Sequence, residues 1–174
     1  MSHFDDIYEI AVDRYGLVTY AEAKAIGVTG AELARWEAAG RLEKCGHGVY
    51  KLARYVPTPL DRYAEALALV GRGSAIWGES VLAMRGMAYA NPPVVYVAVD
   101  RRVRRRLPPW IELVYESINC DEFEGIACQA LRDAIISCVD RVLPERLEDA
   151  AREGVQQGVL SRDQFDDLKR ELRW

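Results

Sequence analysis

The sequence is poor in the residues that build metal-held or covalently stapled scaffolds. Only two histidines and four cysteines occur in its 174 residues. Cys45, Cys120, Cys128 and Cys138 form no C-x-x-C pair, so they read as reduced thiols of a cytoplasmic protein. Cys45 and His47 are the one close pair of metal-binding types, and two ligands do not complete a tetrahedral site. Long apolar runs are missing as well. The stretch Val94–Val99 is strand-sized, far short of the ~18 residues a membrane helix needs. The acidic start MSHFDDIYEI lacks the basic-then-apolar order of a secretion signal. No phosphate-binding glycine loop, G-x-S-x-G or H-E-x-x-H motif is present, and neither are internal repeats or low-complexity segments. These absences lead us to expect no metal, no cofactor and no membrane partner.

What is present is ordinary globular composition, with 50% hydrophobic and 29% charged residues. The net charge of −4 argues against a protein that coats nucleic acid through charge alone, but not against a locally basic reading surface. The charge is uneven. Residues 41–56 carry Arg41, Lys44, Lys51 and Arg54 against Glu43 alone. The run RRVRRR places five arginines at 101, 102, 104, 105 and 106, and the last third of the chain is acidic.

Pro57-Thr58-Pro59 resists continuation of helix or strand, and predicts a boundary between a first domain, 1–56, and a second, 58–174. In the first, Phe4, Ile7, Tyr8 and Ala11 share one helical face. Thr19-x-x-Glu22 and Thr29-x-x-Glu32 are capping boxes opening two further helices, the second with Val28 and Leu33 placed as a hydrophobic staple. Two capped helices around a Gly-Val turn have helix-turn-helix layout. Arg41–Cys45 and Val49–Leu52 around Gly46-His47-Gly48 predict a hairpin. Together these elements predict a winged helix-turn-helix.

Past the prolines, Thr58 and Pro59 predict the start of a helix through Leu60, Tyr63, Ala64 and Leu67. Ser74–Trp77, Val94–Val99 and Ile111–Tyr115 read as strands, with helices over 79–85, from Leu131, from Pro144 and after the Ser161-x-x-Gln164 box. The expected fold class is thus α+β: a winged helix followed by a mixed α/β domain with a small sheet and several helices.

The third helix would present Gly30, Ala31, Ala34, Arg35 and Ala38 outward. Small residues permit close approach to a major groove, and Arg35 can pair with guanine through both its nitrogens. Thr29 and the amides after it would suit a phosphate. Glu32 and Glu37 would oppose this if they point outward. Arg41, Lys44, His47 and Lys51 give the hairpin its phosphate-contacting groups. The arginine loop reads either as a solvated connection between strands or as a surface for nucleic acid or an acidic protein. Asp100 and Glu116, each just past a strand, faintly echo a nuclease metal site, but no lysine accompanies them, so we expect no enzyme.

The run GLVTYAEAKAIGVTGAELARWEAAGRLEKCGHGVYKL resembles the N-terminal winged helix of the AbiEi family, antitoxins of bacterial type IV toxin–antitoxin systems. The likeness rests on the Thr-capped helices, the Gly-Val turn, Gly40-Arg41-Leu42 and Gly48-Val49-Tyr50. WGESVLAMRGM, VYVAVDRRVRRR, EGIACQALRDAIISCV and AREGVQQGVLSRDQF are similar to later segments of the family. Ala127-Cys128-Gln129 departs from its usual Thr-Pro helix entry. The resemblance implies a first domain that binds inverted repeats in its own promoter DNA. It implies a second that neutralises a nucleotidyltransferase toxin, functionally and not necessarily through a stable complex. On that view the arginines of the 101–106 loop belong to the neutralising half. The alternative is a winged-helix transcriptional regulator whose second domain senses a ligand or mediates assembly, with no toxin.

Overall fold

The computed structural model describes residues 3–174. The protein is mixed α+β and falls into two compact units. The first runs through Arg72 and takes in Val103–Leu107; the second comprises Gly73–Arg102 and Pro108–Trp174.

The first unit holds α1 (His3–Val12), β1 (Leu17–Thr19), α2 (Tyr20–Ala25), α3 (Gly30–Ala38), β2 (Leu42–Gly46), β3 (Val49–Leu52) and α4 (Asp61–Val70). Both predicted capping boxes close. The Thr19 and Thr29 hydroxyls accept from the backbone N–H of Glu22 and Glu32, and each glutamate accepts from the threonine N–H in return. The caps fix where α2 and α3 start, so the apolar positions of both helices meet one core. Ile7, Val18, Leu33 and Leu42 are fully buried there, and Phe4 packs edge-on to Trp36 at 5.3 Å between centroids.

The sheet of this unit has three strands, in the antiparallel order β1-β3-β2, where the sequence predicted a two-stranded hairpin. The added strand is only Leu17–Thr19, too short to show a period of two. It forms because β3 offers an edge, pairing Leu17 with Lys51 and Thr19 with Val49. The helix predicted from Thr58 begins at Asp61, with Leu60 as its N-cap. It packs with β1 and β2, inside the first unit, so the units divide at Arg72/Gly73 and not at the proline pair. The reason is specific pairing. The Asp61 carboxylate accepts from the N–H and hydroxyl of Thr58 and from Lys51, and the end of the Leu69 side chain fills the space where Gly46 has no Cβ.

The second unit holds β4 (Ser74–Ile76), α5 (Glu79–Met84), β5 (Val95–Val99), β6 (Ile111–Tyr115), β7 (Cys120–Phe123), β8 (Ile126–Gln129), α6 (Leu131–Ser137), α7 (Pro144–Gln156) and α8 (Arg162–Leu172). Its sheet has the order β6-β5-β4-β8-β7, with β5·β6 and β4·β8 parallel and β4·β5 and β7·β8 antiparallel. The apolar run of β5 lies inside the sheet, flanked by β4 and β6, as its lack of polar alternation implies. The β7–β8 hairpin is new: CDEF carries too few apolar residues to read as a strand, and pairing with β8 imposes it. Its turn, Glu124-Gly125, has both residues at positive φ. Helices α5–α8 close a core around Leu82, Met87, Leu131, Ile135, Leu147 and Leu168. The third capping box, Ser161 with Gln164, is also complete. Among the described residues no helix is long and apolar enough to cross a membrane.

Candidate nucleic-acid interface

Helix α3 presents the face that its sequence predicted. Leu33 and Trp36 are buried, while Gly30, Ala31, Ala34, Arg35 and Ala38 are exposed. The Arg35 guanidinium meets no carboxylate among the described residues and is free to reach outward. Glu32 is turned back into the helix cap, and Glu37 is exposed. One of the Glu32 oxygens accepts from the Thr29 N–H and hydroxyl at 2.9 Å, and the other pairs with His3 Nδ1 at 2.9 Å. The Thr29 backbone N–H, then His3, then the Thr29 hydroxyl draw its pKa down to about 2. The same geometry commits Thr29 to the cap: its hydroxyl and its N–H both serve Glu32, so any phosphate at this helix end would be held by other amides.

The hairpin residues separate into three kinds. Lys44 and His47 are exposed and without an internal partner among the described residues. Arg41 is exposed but lies flat over the Phe4 ring, 3.4 Å from its centroid, so its charge is held close to the end of α1. Lys51 is withdrawn: its Nζ donates to Asp61 Oδ2 at 2.6 Å, and the two side chains are 18% and 11% exposed. Burial acts most strongly on Asp61 and pushes its pKa up. The hydrogen bonds from Lys51 and Thr58 outweigh it, and the carboxyl sits below its usual range. Lys51 is therefore an internal ion pair fastening α4 to the sheet. Glu65 and the Cys45 thiol stand near this pair, both pushed up by burial, the thiol to about 11.

Sequence reasoning missed Tyr20. Its side chain is 44% exposed, and its N–H donates to the Gly48 carbonyl at 2.7 Å. A Cβ on Gly48 would lie 3.5 Å from Tyr20 Cβ, and one on Gly30 would lie 3.6 Å from Tyr20 Cε2. The ring thus bridges the N-terminus of α3 and the hairpin turn. The only signal in the sequence is its place after the Thr19 cap, which says nothing of a partner as distant as Gly48.

The arginine loop divides. Arg104, Arg105 and Arg106 are exposed and belong to the first unit, whereas Arg101 and Arg102 belong to the second. An assignment of all five to the second domain does not match this placement. Arg105 donates to the Leu69 carbonyl at 3.1 Å, in the last turn of α4. That carbonyl is one of the four a helix end leaves unpaired, so a cation there satisfies both a hydrogen bond and the helix dipole.

A polar cleft of about 320 Å³ in the second unit is lined among others by Glu116, Asn119, Gln129, Asp133 and Ser137. Its polar groups are largely engaged with one another. Trp77 Nε1 donates to Glu116, Asn119 to Asp133, and Gln129 to Ser137, while Gln129 Oε1 accepts from the Gly78 N–H at 2.9 Å. Glu116, one half of the faint nuclease pattern, is thus held by a tryptophan.

Helices α1–α3 with the three-stranded sheet give the first unit the layout of a winged helix-turn-helix, to which α4 is added. Residues 5–53 match the family described as transcriptional regulator, AbiEi antitoxin. No functionally curated protein matches the chain. The crystal structure of the RV2827C protein from Mycobacterium tuberculosis is similar over 94% of this chain and 69% of that one, with a TM-score of 0.52 at 13% identity. That likeness is one of fold.

Proposed function

We propose that the protein is the antitoxin and autorepressor of a bacterial type IV toxin–antitoxin system. On this reading the first unit binds inverted repeats in its own promoter, with Arg35 reading a base edge and Lys44, His47 and Arg41 contacting phosphates. The second unit counters a nucleotidyltransferase toxin made from a neighbouring gene. The observation that carries the reading is the family match over 5–53, together with an α3 face that is small, exposed and headed by an unpaired arginine. Small side chains let a helix sink into a major groove without desolvating bulky groups, which suits a recognition helix. The alternative, a ligand-sensing second domain, has less support, because the polar groups of its cleft already satisfy each other.

The test is co-expression with the neighbouring nucleotidyltransferase. Growth rescue by the full chain, together with protection of its own promoter from cleavage by a nonspecific nuclease, is the expected result. Promoter protection without rescue would leave a plain repressor, and rescue without protection would remove the DNA-binding assignment.

A further inference from the structure

The geometry points to Arg104, Arg105 and Arg106 as a third DNA-contacting element, a phosphate-binding arm on the same unit as the recognition helix and the wing. The inference rests on the reading of the first unit as a DNA-binding module, and adds to it residues that lie outside the family match at 5–53.

A chain of direct neighbours carries it. The N-terminus of α3 touches the Tyr20 ring at Gly30, and Tyr20 in turn touches and hydrogen-bonds the wing turn at Gly48. Two residues earlier, at Gly46, the wing is so close to α4 that a Cβ would overlap Leu69 Cδ2. The carbonyl of that same Leu69 accepts the hydrogen bond from Arg105. Helix end and wing turn are thus joined through Tyr20, and wing and arginine arm through Leu69, whose side chain is buried between the wing and α4 while its carbonyl takes Arg105.

The electrostatics agree. Val103 and Leu107 are half-buried and pin the two ends of the arm, and the three arginines between them are exposed. Arg104 and Arg106 meet no carboxylate among the described residues, so their charge is uncompensated. On the wing, by contrast, Lys51 is neutralised by Asp61 and Arg41 is drawn onto Phe4. The wing alone thus offers fewer free cations than its sequence promises, and the arm supplies the missing ones. Guanidinium groups suit phosphate through paired N–H donors, and an arm held by Arg105 loses less side-chain entropy on binding.

The test uses the full chain and two duplexes of equal length, one carrying its own promoter and one of random sequence, with affinity measured against salt. The double variant R104Q/R106Q is expected to lower the slope of log affinity against log salt by about 1.8, which is about 12-fold less sensitivity between roughly 50 and 200 mM salt. The preference for promoter over random sequence should stay as it is, because phosphate contacts carry no base information. The variant R104K/R106K should restore the slope, since counterion release follows charge; failure to restore it would mean that the glutamines act through folding, and overturns the inference. An unchanged slope in R104Q/R106Q overturns the arm while leaving the DNA-binding reading intact. So does an unchanged slope accompanied by lost growth rescue, which would make the arm a surface for an acidic protein. Failure of the wild-type chain to bind either duplex overturns the reading and the arm together.

Discussion

Lys51 Nζ and Asp61 Oδ2 lie 2.6 Å apart, and this pair ties the wing strand β3 to the first residue of α4. A lysine that looks like a phosphate contact in sequence is a structural clamp in the fold. The clamp changes where the first unit ends, because α4 follows the strand it is bound to. It also leaves the wing with a different set of outward charges. Replacing Lys51 by Met tests both points at once. Removing one partner of a buried pair costs on the order of 3 kcal/mol, because Asp61 stays behind without its cation. Urea unfolding should show that loss, while the salt slope of DNA binding stays at the wild-type value. Lys44→Ala should do the reverse, lowering the slope by about 0.9 with little change in stability. A fall in slope for Lys51→Met would return Lys51 to the DNA surface.

Arg35 has the geometry of a base reader: it is exposed, unpaired among the described residues, and stands on a face otherwise made of glycine and alanine. Arg35→Ala should cost about 1–3 kcal/mol at one operator position and relax the choice of base there. A panel of operator variants measured by competition would reveal this. An equal loss on operator and random DNA would mean that Arg35 touches only the backbone.

Why was so much of the first unit legible and the rest not? The three capping boxes at Thr19, Thr29 and Ser161 are local chemistry: four residues contain both halves of each, and all three close as written. The apolar faces of α1 and α3 follow from a period that the chain itself displays. Strand β1 and the β7–β8 hairpin have no such period. They exist because distant strands present an edge, as when Leu17 meets Lys51. The role of Lys51 depends on Asp61 and that of Arg105 on Leu69, and each needs the tertiary fold to bring its partner near. Tyr20 is the same case within the candidate site. Its value lies in joining Gly30 to Gly48, and no spacing rule connects those positions.

The α3 cap makes the first unit sensitive to acid in a definite direction. The folded pKa of Glu32 is depressed to about 2, below the ordinary glutamate value. A depressed carboxyl stabilises the fold at pH values above the unfolded pKa, and that contribution disappears as pH falls from about 4.5 toward 2. Glu32→Gln should flatten this part of the stability profile by lowering the neutral region toward the acid limb, since the contribution it removes is the one present at neutral pH. Thr29→Ala should cost about 1 kcal/mol at neutral pH through the lost N-cap, and should keep most of the acid dependence, since alanine retains the backbone N–H that depresses the Glu32 pKa most and loses only the hydroxyl. Thermal unfolding from pH 2 to 7 would measure both. An acid profile in Glu32→Gln identical to the wild type would assign the pH dependence to other carboxylates.

The second unit has its own internal test at Gln129. This side chain is 2% exposed and is used at both ends. Its oxygen accepts from the N–H of Gly78, and its nitrogen donates to the Ser137 hydroxyl, which in turn donates to the Asp133 carbonyl in α6. Gly78 sits at φ +53 and precedes α5, so one glutamine joins the end of β8, the start of α5 and the last residue of α6. Leucine at 129 would keep the volume and strand both partners: the buried Gly78 N–H would lose the Gln129 acceptor, and a half-buried hydroxyl would lose a donor. The expected cost is about 1–3 kcal/mol. Gln129→Glu would keep the acceptor for Gly78 and place a charge in a buried site instead, so it should be at least as damaging at neutral pH and recover as the carboxyl is protonated. The consequence for function separates the units. With the second unit loosened, growth rescue should fall, while the operator affinity of the first unit holds. Equal loss of rescue and operator binding in Gln129→Leu would show that the two activities share one folded body, and the assignment of one activity to each unit would fail.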